Sequence, residues 1–343
     1  MRKLLNTLYV SSQGSYLHKE GETIVVDREG QKALQLPAHT IGGIVCFGNV
    51  LCSPFLLGFC AERDVSVSFL STHGRFLASV RGPVSGNVLL RRAQYRMADD
   101  EEITKAIAAN IVTGKLANSR VVMNRAARDH GDKIDATAIR SASASLDRLI
   151  DQLPRAVDSD AVRGLEGMAA AEYFSVFNHL IVEQKEGFVF RERNRRPPLD
   201  PVNALLSFIY TLLMHDVRSA LETVGLDPAV GFLHRDRPGR PGLALDLMEE
   251  FRPIIADRLA LSLINRRQVE TKGFARAQNG AVVMDDATRK AVLVEYQNRK
   301  QDEVLHPYIE EKVPIGLLFF VQANLLARFI RGDIDGYPPF FWR

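Results

Sequence analysis

Glu166 in the run Gly164-Leu165-Glu166-Gly167, His234 in Gly231-Phe232-Leu233-His234-Arg235, and Glu249 in Leu245-Asp246-Leu247-Met248-Glu249-Glu250 supply one imidazole and two carboxylates. Such a set can hold a divalent metal ion. Asp246, Glu249 and Glu250 lie at i, i+3 and i+4, which crowds three acids onto one side of a helix whose neighbours Leu245, Leu247 and Met248 are apolar. Acids that repel each other on one face attract a cation. Arg235, Arg237, Arg240 and Arg252 surround them, so the expected substrate is anionic, and a metal among arginines points to phosphodiester chemistry on nucleic acid. Three protein ligands leave open positions for a phosphate oxygen and water. Nitrogen and carboxylate donors suit Mn²⁺ or Mg²⁺, the imidazole tilting the choice to Mn²⁺, and the lack of thiolate argues against structural zinc.

Each residue also has a plainer reading. A histidine such as His234 is ordinarily structural, as His179 and His215 within apolar helices are taken to be. His234 differs in following an apolar run, in its arginine neighbours, and in leading through Pro238-Gly239-Arg240-Pro241-Gly242, a hinge able to fold the imidazole back over Glu249. Glu166 sits among Gly164, Gly167 and Ala169 to Ala171, small residues that let another helix approach and would bury a carboxylate needing a partner. Its plainer reading is an acid answering the dipole at a helix N-terminus. Asp246 reads as an acceptor orienting His234 or as an occasional ligand, and Glu250 equally as a solvent-facing acid paired with arginine. Arg240 and Arg252 are candidate phosphate contacts or neutralisers of the acidic helix. Between 187 and 198, Arg191, Arg193, Arg195 and Arg196 run up to Pro197-Pro198, which excludes helix. That segment is expected to be a mobile basic loop, either a solvated linker or a phosphate-contacting segment. Arg258, Arg266, Arg267, Lys272 and Arg276 extend the positive surface. There is no Walker-type phosphate loop and no base-reading motif, so an ATP-driven step is not expected and target preference should come from DNA shape or a partner.

The stretches Gly164 to Gly167, Pro197 to Phe208, Val230 to His234 and Leu245 to Pro253 resemble, in the same order, the signature blocks of the CRISPR-associated spacer integrase family, the Cas protein numbered one. Residues Leu4 to Ser15 followed by Tyr16-Leu17 resemble the variant found with type I-C systems. The resemblance implies that Glu166, His234 and Glu249 are the metal ligands. It implies an endonuclease and integrase that joins 3′-hydroxyl ends of short double-stranded foreign DNA into CRISPR repeat DNA by transesterification. It further implies a homodimer joined through its β-domains, with two dimers bridged by the small Cas protein numbered two. The alternatives are a general metal-dependent nuclease or junction resolvase acting alone, and a non-catalytic DNA-binding scaffold whose acids merely pair with arginines.

The elements that would position these residues divide into two groups. Short β-prone runs at 6–11, 16–18, 23–26, 33–36, 41–46, 65–70 and 75–80 are separated by turn residues, among them Gly14, Gly21, Gly30, Gly48 and the pair His73-Gly74. One helix interrupts them, with Ser53 as N-cap and Pro54 at its first position. After Pro83 and Gly86 the apolar spacing becomes helical, at 103–128, 136–153, 162–181, 201–224, 245–271, 287–299 and 315–330. The expected fold is α+β and multidomain, with an N-terminal β-rich dimerisation domain over 1–88 and a larger all-α catalytic, metal- and DNA-binding domain over 89–343. A chain of 343 residues has room for both. Its net charge of +3 leaves DNA affinity to local clustering of basic residues. Cys46, Cys52 and Cys60 lack metal or redox spacing and read as reduced core thiols. The apolar run after Arg2 and Lys3 is too short for a signal peptide, and that from Val313 to Val321 too short to span a bilayer. The expected location is the cytoplasm, with no membrane partner.

Overall fold

The structure is a computed structural model, and it describes residues 6–63, 65–72, 76–80 and 88–342. The seven expected strands form, as β1 Asn6–Val10, β2 Tyr16–Glu20, β3 Thr23–Arg28, β4 Gln31–Pro37, β5 Ile41–Phe47, β7 Ser66–Leu70 and β8 Phe76–Val80, and a two-residue strand that was not expected, β6 Leu51–Cys52, joins them. The turn at His73-Gly74 lies outside the described residues, as do residues 81–87 with Pro83 and Gly86. Between β3 and β4 the two turn residues Glu29 and Gly30 have φ of 53° and 75°, the left-handed pair that matches strand twist in a tight hairpin. Two four-stranded sheets result, in the orders β4-β3-β2-β6 and β1-β5-β7-β8. Helix α1, Pro54–Glu62, starts as expected, the Ser53 hydroxyl accepting from the Leu56 N–H at 3.1 Å. Leu17, Ile24, Ile44, Leu56 and the free thiols Cys46 and Cys60 share one core with it.

The β-region does not stand apart from the rest. Val45, Phe47 and Leu70 belong to the larger helical core, with Phe47 ring to ring against Phe208 at 5.8 Å. That core is built by α2 Val88–Ala98, α3 Glu101–Asp129, α4 Ala136–Gln152, α5 Ser159–Ser175 and α6 Pro201–Thr223, followed by α7 Gly242–Met248 and α8 Arg258–Asn265. Asp100, Asp158 and Asp200 cap α3, α5 and α6 by accepting from the N–H three residues on. With 29 residues, α3 is the spine of the helical region, about 43 Å long at helical rise.

Several expectations need correction. The helix expected over 245–271 breaks, because Pro253 has no N–H to continue it; α7 stops at Met248 and residues Arg252–Asp257 form a π-helical turn before α8. The helix expected to reach Ile181 ends at Ser175, with a 3₁₀ turn over Phe177–Leu180. The second region is not all-α. Antiparallel pairs β9 Phe274–Arg276 with β10 Val282–Met284, and β11 Glu303–Leu305 with β12 Lys312–Pro314, flank α9 Asp286–Gln301, and α10 Ile315–Arg331 closes the fold against α6. No described helix is long and apolar enough to cross a membrane.

Candidate metal centre

Glu249 follows the last residue of α7, its side chain 2% exposed, and Glu166 lies midway along α5, its side chain 26% exposed. Their carboxylates meet on one cation, the ammonium of Lys115 from α3: Nζ stands 2.9 Å from Glu249 Oε2 and donates a short hydrogen bond to Glu166 Oε1. Arg252 closes the other side, its guanidinium 2.8 Å from Glu249 Oε1 and its face over the Tyr210 ring at 5.0 Å. Burial alone would raise the Glu249 carboxyl; Arg252, Lys115 and His234 together outweigh it and hold the group down at about 2. Although close to the ammonium, Glu249 Oε2 has no well-directed donor, so that contact is Coulombic more than a hydrogen bond. Glu166 is far past the first turn of α5, so the helix-dipole reading is excluded. Gly164 and Gly167 do not seat a neighbouring helix either: a Cβ on either would meet nothing within 4 Å, and the strip beside Glu166 is open.

His234 sits on the loop between α6 and α7, held on Asp246 rather than in contact with Glu249 as expected. Its Nδ1 is 2.7 Å from Asp246 Oδ1, and its own N–H donates to the same oxygen at 2.9 Å. Asp246 Oδ2 accepts from the N–H groups of Phe232 and Leu233, at 2.6 and 2.9 Å. With four donors on one fully buried carboxylate, Asp246 has the contacts of a group that orients the imidazole. The bond at Nδ1 leaves Nε2 as the ring nitrogen available to a ligand. Gly231 is required here, since a Cβ would fall 2.5 Å from Asp246 Oδ2. Gln94, on the unexpected helix α2, pins the same loop by donating to the carbonyls of Asp227 and Val230 at 2.8 Å each.

Asp246 on α7 and the two acids that follow it do not share a partner. Glu250 is neither solvent-facing nor paired with arginine: wholly buried, it accepts from the Tyr337 hydroxyl at 2.5 Å, the Phe340 N–H at 2.8 Å and Gln322 at 3.0 Å, tying the C-terminal segment to the centre. Burial pushes its carboxyl up to about 7 despite those donors. Asp257, at the end of the π-helical turn, takes the hydroxyls of Tyr173 and Tyr210 at 3.1 and 2.6 Å.

The arginines separate into two kinds. Arg193 turns inward and donates to Asn203 Oδ1 at 2.6 Å and the Ser207 hydroxyl at 3.1 Å, so its assignment as a phosphate contact is corrected to a structural one. The loop is correspondingly pinned, not mobile: Asn203 donates to the Glu192 carbonyl at 2.8 Å and Asn178 accepts from the Phe190 N–H at 2.8 Å. Arg252 serves Glu249 and is largely buried. Arg191, Arg195 and Arg196 remain exposed, and Arg191 and Arg195 line a groove with Ala170 and Ala171 of α5. Arg195 also lines the cavity that holds Lys115 and Glu166, and Arg195 and Arg237 each press on Arg240 as like charges. No described carboxylate makes an ion pair with Arg195, Arg237 or Arg240.

Among the described residues no three metal-binding side chains converge tightly enough to enclose an ion as placed. The donor chemistry nonetheless fits one. Two carboxylates from separate segments already close on a cation, one buried oxygen lacks a directed donor, and the neighbouring imidazole keeps Nε2 free. Of the three ligands expected from the sequence, the structure brings Glu166 and Glu249 together on Lys115 and seats His234 on Asp246, while Lys115, Gln94 and Asp257 were not anticipated. Lys115 left a signal: with Ile111, Val112, Leu116 and Ser119 it lies on the buried stripe of α3, where a lone charge needs a partner.

The family model for CRISPR associated protein Cas1 matches residues 8–298. The chain is 56% identical over 343 residues, all of both chains, to a CRISPR-associated endonuclease Cas1 of Chlorobaculum tepidum. It superimposes on a Cas1 protein of Thermotoga maritima with a TM-score of 0.81 at 25% identity, covering 95% of this chain and 97% of that one. It shares its fold with a casposase bound to an integration product, with a TM-score of 0.82 at 24% identity over 96% of this chain and 92% of the other.

Proposed function

Because the chain belongs to the Cas1 family of CRISPR-associated endonucleases, we propose that it is a divalent-metal-dependent endonuclease and integrase of CRISPR adaptation. The observation that carries this is the convergence of Glu166 and Glu249 on one cation beside an imidazole whose orientation Asp246 fixes. Glu166, Glu249 and His234 Nε2 would hold Mn²⁺ or Mg²⁺, and the ion when bound supplies Lewis acidity to a phosphoryl oxygen. Arg195, Arg237 and Arg240, which form no ion pair with a described carboxylate, take the phosphates flanking the scissile one. Asp246 keeps the ring proton of His234 on Nδ1 through the cycle, and Arg252 holds Glu249 ionised. A 3′-hydroxyl of incoming DNA attacks a phosphodiester of the repeat. One P–O bond forms as another breaks, and the proton lost by the attacking hydroxyl is balanced by the one gained on the leaving 3′-oxygen. No nucleotide is consumed.

The proposed assembly is a homodimer joined through the β-region, where Leu51 and Phe55 are 62% and 81% exposed. Two dimers would be bridged by Cas2, and the whole would act in the cytoplasm. The type I-C subtype is proposed on residues 4–17 alone, of which 4 and 5 lie outside the described residues. The test is incubation with Mn²⁺, a short duplex bearing free 3′-hydroxyls and a supercoiled repeat plasmid, with and without Cas2. New strand junctions are expected. Degradation without joining would leave a lone nuclease, and binding without strand change would reduce the protein to a scaffold.

A further inference from the structure

Lys115 is largely buried, with 12% of its side chain exposed, and its ammonium lies where two acids from different segments close on a single point. We propose that Lys115 is a tethered cation that occupies the divalent-ion position between Glu166 and Glu249 and must leave it for the ion to enter, so that metal loading moves a positive charge toward the arginine rim. The inference rests on the metal centre proposed above.

Charge balance is the first argument. Lys115 and Arg252 together neutralise Glu166 and Glu249, so the buried centre is complete without metal. A divalent ion added to that set would leave two uncompensated positive charges in a low-dielectric place, which favours expulsion of the nearest removable cation. Of the two, Arg252 is fixed by its stacking on Tyr210, whereas Lys115 is a compact charge on a flexible four-carbon stem.

Room to move is the second. Lys115 lines a cavity shared with Arg195 and Tyr210, and Arg195 is exposed. An ammonium swung into that cavity would face a phosphate held at the rim. Ligand number is the third: Lys115 neutralises the carboxylates but leaves Glu249 Oε2 without a directed donor and draws nothing from His234, whose Nδ1 is committed to Asp246. A divalent ion gains the imidazole as an extra donor, and that difference lets it displace a cation already covalently attached to the protein.

The experiment is calorimetric titration of the full chain with MnCl₂, in wild type, Lys115→Met, Lys115→Arg and Glu249→Gln, with thermal unfolding of each in metal-free buffer and in Mn²⁺. Lys115→Met is expected to bind Mn²⁺ at least about tenfold more tightly. It should melt lower than wild type without metal and gain more on its addition. Lys115→Arg, which keeps the charge on a bulkier fork, should bind Mn²⁺ more weakly than wild type and keeps the test open if the Met variant does not fold. Equal or weaker binding by Lys115→Met, or unchanged binding by Lys115→Arg, overturns the proposal and makes the lysine a support for the carboxylates. Binding in wild type that Glu249→Gln leaves intact, or binding in none of the proteins, overturns the metal centre itself.

Discussion

Asp246→Asn removes one charge without changing shape, at a residue that is 0% exposed and holds the candidate imidazole. One of its oxygens becomes an amino group, and each oxygen now accepts two bonds. If the amino group replaces Oδ2, the N–H groups of Phe232 and Leu233 both face a donor. At about 1–3 kcal/mol for each buried N–H left unpaired, that orientation costs roughly 2–6 kcal/mol. If it replaces Oδ1, only the His234 N–H loses its acceptor, at about 1–3 kcal/mol, while Nδ1 turns into an acceptor and the ring proton moves to Nε2. The cheaper orientation therefore places a proton on the nitrogen that should bind metal. The expected outcome is a loss of about 1–3 kcal/mol in urea unfolding without metal, together with a fall in Mn²⁺ affinity of about 10- to 100-fold by calorimetry. A variant within about 0.5 kcal/mol of wild type that also binds Mn²⁺ normally would refute the role given to Asp246.

The buried Glu250 carboxyl, pushed up to about 7 from an ordinary 4.5, binds its proton more tightly in the folded state. Its stabilisation is full below pH 4.5 and is lost as pH rises to about 7, amounting to about 3 kcal/mol by linkage. Glu250→Gln should flatten the wild-type decline in urea stability between pH 5 and 8, and an unaltered decline would contradict this. Replacing Arg195 and Arg240 together by Gln should weaken binding to DNA of any sequence and lower the slope of log affinity against log salt by up to about 0.9 per lost contact. Arg193→Gln, by contrast, should lower the melting temperature and leave that slope alone; a reduced slope would return Arg193 to the DNA surface.

What the sequence made legible is what neighbouring residues decide. Ser53-Pro54 and Asp200-Pro201 mark helix starts because the cap and the preset φ act within one turn, and the strands of the β-region announce themselves by runs between turn residues. Helix α2 escaped notice because Arg91, Arg92 and Arg96 interrupt its apolar residues and only Leu90 and Gln94 are buried. The hairpins at 274–284 and 303–314 have strands of three residues, too short for alternation to show. In the site, the spacing of Asp246, Glu249 and Glu250 indicated acids gathered on one helical face, but neither that all three are buried nor their separate fates. Those are set by His234, Lys115 and Tyr337, which come from three other segments and meet them only in the folded chain.

Anomalous diffraction at the manganese edge, from crystals of the full chain soaked in MnCl₂, tests the central claim most directly. One strong peak is expected in contact with Glu166, Glu249 and Nε2 of His234, with the Lys115 ammonium displaced from between the carboxylates. A peak elsewhere, or a centre that still holds the ammonium at saturating Mn²⁺, would contradict it.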